Sequence, residues 1–159
     1  MLPEFKTVLF ADDSSGERLL FAQAGQKAGV RYKLQTVTNG HAAVAYLSGS
    51  GEYRDRARFP LPALLILDIN MPELDGFETL KWVRSQAVFR SMPVVMFSTS
   101  SQSEDIQRAY KLSANSYLLK PANLSGLLQI VKMIEVYWLE LNRPEHPLSE
   151  GEAPQATIG

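Results

Sequence analysis

The stretch Ala63-Leu64-Leu65-Ile66-Leu67-Asp68 decides the fold. Its apolar residues run without alternation, the pattern of a central parallel strand covered on both faces. The run then stops at a carboxylate. The same form recurs on either side of it. Val8-Leu9-Phe10-Ala11 ends at Asp12-Asp13, and Pro93-Val94-Val95-Met96-Phe97 ends at Ser98-Thr99. Ser116-Tyr117-Leu118-Leu119 ends at Lys120-Pro121, while Tyr32 to Val37 alternates as a strand with one wetter face.

Amphipathic segments fill the gaps. Ser14 and Glu17 match a capping box, in which each side chain satisfies a free amide of the first helical turn. A helix is therefore expected from Ser15 to Ala28, closed by Gly29. Further helices are expected over 40–47, 77–86, 104–112 and 124–141. Residues 48–62, rich in Gly, Arg and Pro, read as a long loop. Strands alternating with helices predict an α/β architecture, a doubly wound, flavodoxin-like parallel sheet of five strands in the order 2-1-3-4-5 with five helices. The expected domain covers residues 5–141. Residues 142–159, rich in Pro, Glu, Gly and Ala, read as a mobile tail without an output domain.

Composition narrows the function. With 159 residues and 45% of them apolar, one ordinary core is expected. There is no cysteine, which removes disulfides, thiolate metal sites and cysteine nucleophiles. The formal net charge of −1 gives no basic footprint for nucleic acid. No apolar run is long enough to cross a bilayer and the amino end lacks the pattern of a leader, so a cytoplasmic protein with no membrane partner is expected.

In such a fold, ligands lie at the carboxyl ends of the strands. Asp12, Asp13, Asp68, Ser98 and Lys120 are all predicted to gather there. Three carboxylates at one rim repel one another unless a cation lies between them. Oxygen ligands without histidine or cysteine favour Mg2+. Lys120 adds positive charge and Ser98 a hydroxyl, a set suited to a phosphoryl group. Asp68, on the central strand, is the natural nucleophile, leaving Asp12 and Asp13 to hold the metal.

These residues, with Asp68-Ile69-Asn70-Met71-Pro72-Glu73-Leu74-Asp75-Gly76 and Tyr117-Leu118-Leu119-Lys120-Pro121, resemble the receiver domains of two-component response regulators over residues 5–141. The resemblance implies that Asp68 accepts a phosphoryl group from a phosphohistidine, the chain catalysing only its own phosphorylation and dephosphorylation. Asp13 would bind Mg2+ directly, Asp12 would assist, and Asn70 would add its backbone carbonyl. Lys120 would pair with the phosphoryl oxygens, and the Lys120–Pro121 bond would be cis. Ser98 and Tyr117 would form the switch, Ser98 moving toward the phosphoryl group and Tyr117 turning inward behind it. The donor would be a sensor histidine kinase or a histidine phosphotransfer protein.

Residues 48–62, the Ala114-Asn115-Ser116-Tyr117 approach and Tyr137-Trp138 are similar to the single-domain regulators of bacterial phytochromes, which implies a bacteriophytochrome as one candidate kinase. Competing readings are a phosphatase working through an aspartyl phosphate, a dinucleotide-binding domain and a scaffold that is no longer phosphorylated. The first wants an Asp where Asn70 stands; the second wants glycines where Asp12 and Asp13 stand.

Other features read more plainly. On the last helix, Leu124, Leu127, Val131, Ile134 and Trp138 should face the sheet. Ile130, Met133 and Tyr137 form a second stripe, from which a homodimer through the fifth-helix region is expected. His41 and His146 read as surface residues, and Arg54, Arg56 and Arg58 as a solvated loop. Ser14-Ser15 and Thr99 depart from the commonest family residues. Thr99 is expected to narrow access to the phosphoryl group. Thr99→Ala should then shorten the phosphoryl lifetime, measured by decay of the phosphorylated mass; an unchanged lifetime contradicts this.

Overall fold

The computed structural model describes residues 5–145. Five strands form one parallel sheet: β1 (Thr7–Ala11), β2 (Lys33–Val37), β3 (Leu64–Leu67), β4 (Val94–Ser98) and β5 (Ser116–Leu119), in the order β2-β1-β3-β4-β5. The helices are α1 (Ser15–Ala28), α2 (Gly40–Ser48), α3 (Gly76–Ser85), α4 (Ser103–Lys111) and α5 (Leu124–Met133). Fold and strand order are as expected from the sequence.

The apolar runs became strands because both of their faces are covered. β1, β3 and β4 are buried along their whole length, whereas β2, at an edge, keeps only Val37 buried. One core layer contains Leu9, Leu65, Leu67, Met96, Phe77 and Leu80 beneath α2 and α3. The other holds Val8, Phe10, Ile66 and Phe97 with Phe21 of α1 and Val131 and Ile134 at the α5 end. Phe10, Phe21 and Phe97 meet edge to face, with ring centroids 4.4–6.1 Å apart.

The caps explain where the helices begin. Asn39, Asp75 and Asn123 each accept an amide from the first turn of α2, α3 and α5. Ser14 accepts the Glu17 amide as foreseen, but the reciprocal bond is replaced: the Ser14 amide donates to Asp12 Oδ1 at 2.9 Å. The cap of α1 is thus tied to the rim.

Four expectations need correction. The last helix is not uniform, for α5 gives way to a π-helix at Ile134–Leu141. There Lys6 Nζ donates to the Leu139 carbonyl at 2.6 Å, one of the last-turn acceptors that a helix end leaves without an internal donor. Leu124 is exposed rather than facing the sheet, and Ile130 and Met133 are half-buried against the core, so the second stripe is narrower than its spacing suggests. The long loop expected after α2 is present, with one 3-10 turn at Gly51–Tyr53, but it is packed rather than solvated. Tyr46, Tyr53 and Phe59 stack at 5.0–5.9 Å, and the Arg56 guanidinium donates to the carbonyls of Tyr46, Leu47 and Phe59. Arg56 is therefore a tie, while Arg54 and Arg58 are exposed. Finally, no peptide bond among the described residues is cis, so Lys120–Pro121 is trans, the isomer that X–Pro bonds favour intrinsically. His41 is exposed as expected, 3.8 Å from Glu73; His146 lies outside the described residues.

At the π-helix, Glu135 is buried yet ionised in character. Burial alone would raise its pKa, but the Arg31 backbone amide and the Lys132 ammonium outweigh that and hold it below the ordinary 4.5. Its stabilising contribution is complete above that ordinary value and is lost as pH falls through the lower folded one. Glu135→Ala should cost about 1–2 kcal/mol at pH 7 by chemical denaturation. The deficit should narrow below pH 4.5, and a pH-independent deficit contradicts the assignment.

Candidate functional site

The site lies where β1, β3, β4 and β5 end together. Parallel register brings Ala11 beside Leu67, so Asp12 and Asp68 leave adjacent strands at the same height. The Asp68 amide donates to the Ala11 carbonyl at 3.0 Å and the Asp12 amide to the Val37 carbonyl at 3.1 Å, extending the ladder to the rim itself. Asp12, Asp13 and Asp68 place one carboxylate oxygen each within 4.8 Å of the others. Asp12 and Asp68 are buried and Asp13 is exposed.

Lys120 reaches in from the end of β5. Its Nζ lies 2.9 Å from Asp12 Oδ2 and 3.5 Å from Asp68 Oδ1, and its amide donates to the Ser98 carbonyl at 2.8 Å. One ammonium thus faces two buried carboxylates. Burial would lower the Lys120 pKa, but the hydrogen bond it donates to Asp12 and the charges of Asp68, Asp12 and Glu17 outweigh it and hold it above its ordinary value. Asp68 fares differently: burial and the neighbouring Asp12 push it up to about 6, against the opposing pull of Lys120. The Ile69 amide, donating to Asp68 Oδ1 at 2.9 Å, does not reverse that. The site is short of positive charge. A divalent cation among these oxygens would supply what Lys120 alone does not, and the all-oxygen donor set fits a hard ion.

The loop after Asp68 is tightly determined. The Gly76 amide donates to the Ile69 carbonyl at 2.9 Å, and a Cβ on Gly76 would stand 2.2 Å from the Asp68 carbonyl oxygen. Only glycine allows α3 to start so close to the end of β3. Asn70, just past Asp68, is exposed at the rim.

The remaining expected residues divide. Ser98 is fully buried at the end of β4, its hydroxyl accepting the Ser100 amide at 3.1 Å. Tyr117 is not at the carboxylates: its ring packs on the core beneath α4 and its hydroxyl donates to the Ser100 carbonyl at 2.8 Å. Thr99 is exposed beside Ser98. Two participants escaped sequence reading. Arg18 donates to the Asp12 carbonyl at 2.7 Å and so fixes the turn that carries both acids. Ser100 meets both Ser98 and Tyr117. Arg18 sits one turn beyond the helix cap, a position that helical spacing could have suggested; Ser100 had no such signal.

Similarity to known proteins identifies the family. The family model described as response regulator receiver domain matches residues 8–132. The chain is 34% identical over 135 residues to Response regulator Rcp1 of Synechocystis sp., covering 85% of this chain and 90% of that protein. Among solved structures, the phosphorylated cyanobacterial phytochrome response regulator RcpA superposes with a TM-score of 0.81 at 36% identity, over 90% of this chain and all of that one. The Mn2+-bound form of Rcp1 follows with 0.77 at 33%, over 89% and 99%.

Raising of the Asp68 pKa carries a stability prediction. Below the ordinary value of 3.8 the carboxyl is neutral in folded and unfolded chains alike; between 3.8 and about 6 only the unfolded chain ionises it. The stability due to the neutral form is therefore complete below 3.8 and gone once pH has risen through about 6. Asp68→Asn should stabilise the metal-free protein at pH 7.5 by on the order of 2 kcal/mol. That gain should fade toward pH 4 in thermal melts with chelator present. An equal gain at both pH values contradicts the assigned cause.

Proposed function

Because this chain belongs to the response regulator receiver family, we propose that Asp68 is the residue on which it accepts a phosphoryl group. The observation that carries the reading is the buried Asp68 carboxylate beside Asp12 and Asp13, with Lys120 Nζ 3.5 Å away. Asp68 offers a carboxylate oxygen to phosphorus; the bond from phosphorus to the imidazole nitrogen of a phosphohistidine breaks, and the nitrogen keeps the electron pair. Lys120 neutralises the phosphoryl oxygens and Ser98 donates its hydroxyl to one of them. Hydrolysis of the acyl phosphate returns the free carboxylate. The chain is thus its own substrate and turns over nothing else.

Asp12, Asp13, Asp68 and the Asn70 carbonyl would hold a divalent cation, and Mg2+ is the ion their oxygen donors suit. When bound, such an ion would supply positive charge to offset that developing on the transferring phosphoryl group. Ser98 and Tyr117 serve as the switch that converts this local charge into a changed binding surface.

The phosphodonor is a sensor histidine kinase or a histidine phosphotransfer protein. Likeness to a cyanobacterial phytochrome response regulator supports a bacteriophytochrome as the kinase. No described helix is long and apolar enough to cross a membrane, and the reading assigns the chain to the cytoplasm, where kinase and regulator meet. Residues 5–141 act as the receiver unit; the tail at 142–159 carries none of the site residues. Val136, Tyr137 and Leu141, exposed along the π-helix, support a homodimer through the fifth-helix region.

The test is intact mass after incubation with Mg2+ and a small phosphodonor. One added phosphoryl group, dependent on the metal and absent in Asp68→Asn, is the expected result. No adduct, even with a panel of phosphorylated kinases, would favour a scaffold and strip Asp68 of this role.

A further inference from the structure

Ser100 connects three parts of the molecule through three of its groups. Its amide donates to Ser98 Oγ at 3.1 Å, and its carbonyl accepts the Tyr117 hydroxyl at 2.8 Å. Its own hydroxyl donates to Asp105 Oδ2 at 2.6 Å, in the first turn of α4, and accepts the Gln102 amide at 3.3 Å. Gln102 stands at the cap position of this helix without a side-chain capping bond. Ser100 and Asp105 are both half-buried. A hydrogen bond to a carboxylate is shorter and stronger than one between neutral groups, and the 2.6 Å separation is of that kind.

We propose that the Ser100–Asp105 bond is a latch that holds Tyr117 in its inward position before any phosphoryl group arrives. The bond ties the loop after β4 to α4, and so fixes the Ser100 carbonyl where the Tyr117 hydroxyl finds it. Without the latch that carbonyl is free to move, the tyrosine loses its acceptor, and its ring gains the alternative of turning outward. The reading rests on Ser98 and Tyr117 being the switch of the proposed function. It adds that this chain presets the switch, so that its binding surface changes less on phosphorylation than an unlatched one would. Ser100 and Asp105 act as positioning residues: neither is assigned contact with the phosphoryl group.

The variants are Ser100→Ala, Asp105→Ala, the pair together, and Ser100→Thr, which keeps the hydroxyl. Tyr117 occupancy is read by NMR of fluorotyrosine-labelled, unphosphorylated protein, with Tyr117→Phe identifying the signal. The inward fraction relative to outward should fall roughly two- to tenfold in either alanine variant, the effect of one net hydrogen bond. Asp105→Ala removes the latch alone, whereas Ser100→Ala also removes the acceptor of the Gln102 amide; the double variant should therefore match Ser100→Ala, and Ser100→Thr should restore the parent spectrum. Lower melting temperatures with an unchanged Tyr117 signal would overturn the proposal, reducing the bond to a helix cap. Additive effects in the double variant would overturn it as well. The measurement needs no phosphoryl transfer, so a failure of Asp68 to take up phosphate would contradict the functional reading on separate grounds.

Discussion

Two buried carboxylates, Asp12 and Asp68, share a single ammonium, that of Lys120. The rest of the site depends on that imbalance. Asp12 takes the closer contact and also caps the Ser14 amide, so its charge is spread over two partners. Asp68 is left with the longer one and with a pKa near 6. Of the two buried carboxylates, the one with the longer ammonium contact is the one at the end of the central strand. A better-paired Asp68 would be a more stable residue and a poorer acceptor of positive charge.

The fold pins this arrangement in place. Register between β1 and β3 sets the height of the two acids, and Arg18 holds the turn that follows Asp12. Gly76 lets α3 begin against the Asp68 carbonyl. From the far side, the loop after β4 joins Ser98 to Tyr117 through Ser100. Charge at the rim is thereby connected to α4 by hydrogen bonds that have directions and can be broken singly.

β1, β3 and β4, with Asp12, Asp13, Asp68 and Ser98 at their ends, were legible in the sequence for one reason. Apolar runs buried on both faces have sharp ends, and the polar residue at each end falls at a predictable height. Legibility failed where the deciding contacts are long-range and polar. Nothing in the spacing around Glu135 shows that the Arg31 amide, 104 residues away, will seek it out, or that Lys6 will satisfy a carbonyl of a π-helix. Arginine in residues 48–62 suggested solvation, but Arg56 turns back onto three carbonyls and folds the segment around Tyr46. The Lys120–Pro121 bond, expected cis from the family, is trans here. Helical periodicity also overstated the second stripe of the last helix, because periodicity fixes direction and says nothing of how deeply the helix sinks into its neighbours.

The central claim is that Asp68 is under-compensated until a divalent cation binds. It is tested most directly by following the Asp68 carboxyl carbon by NMR across pH, first without metal and then with Mg2+. The account predicts a midpoint near 6 without metal and a marked fall when the ion is added. A midpoint at the ordinary 3.8, unmoved by Mg2+, would contradict it.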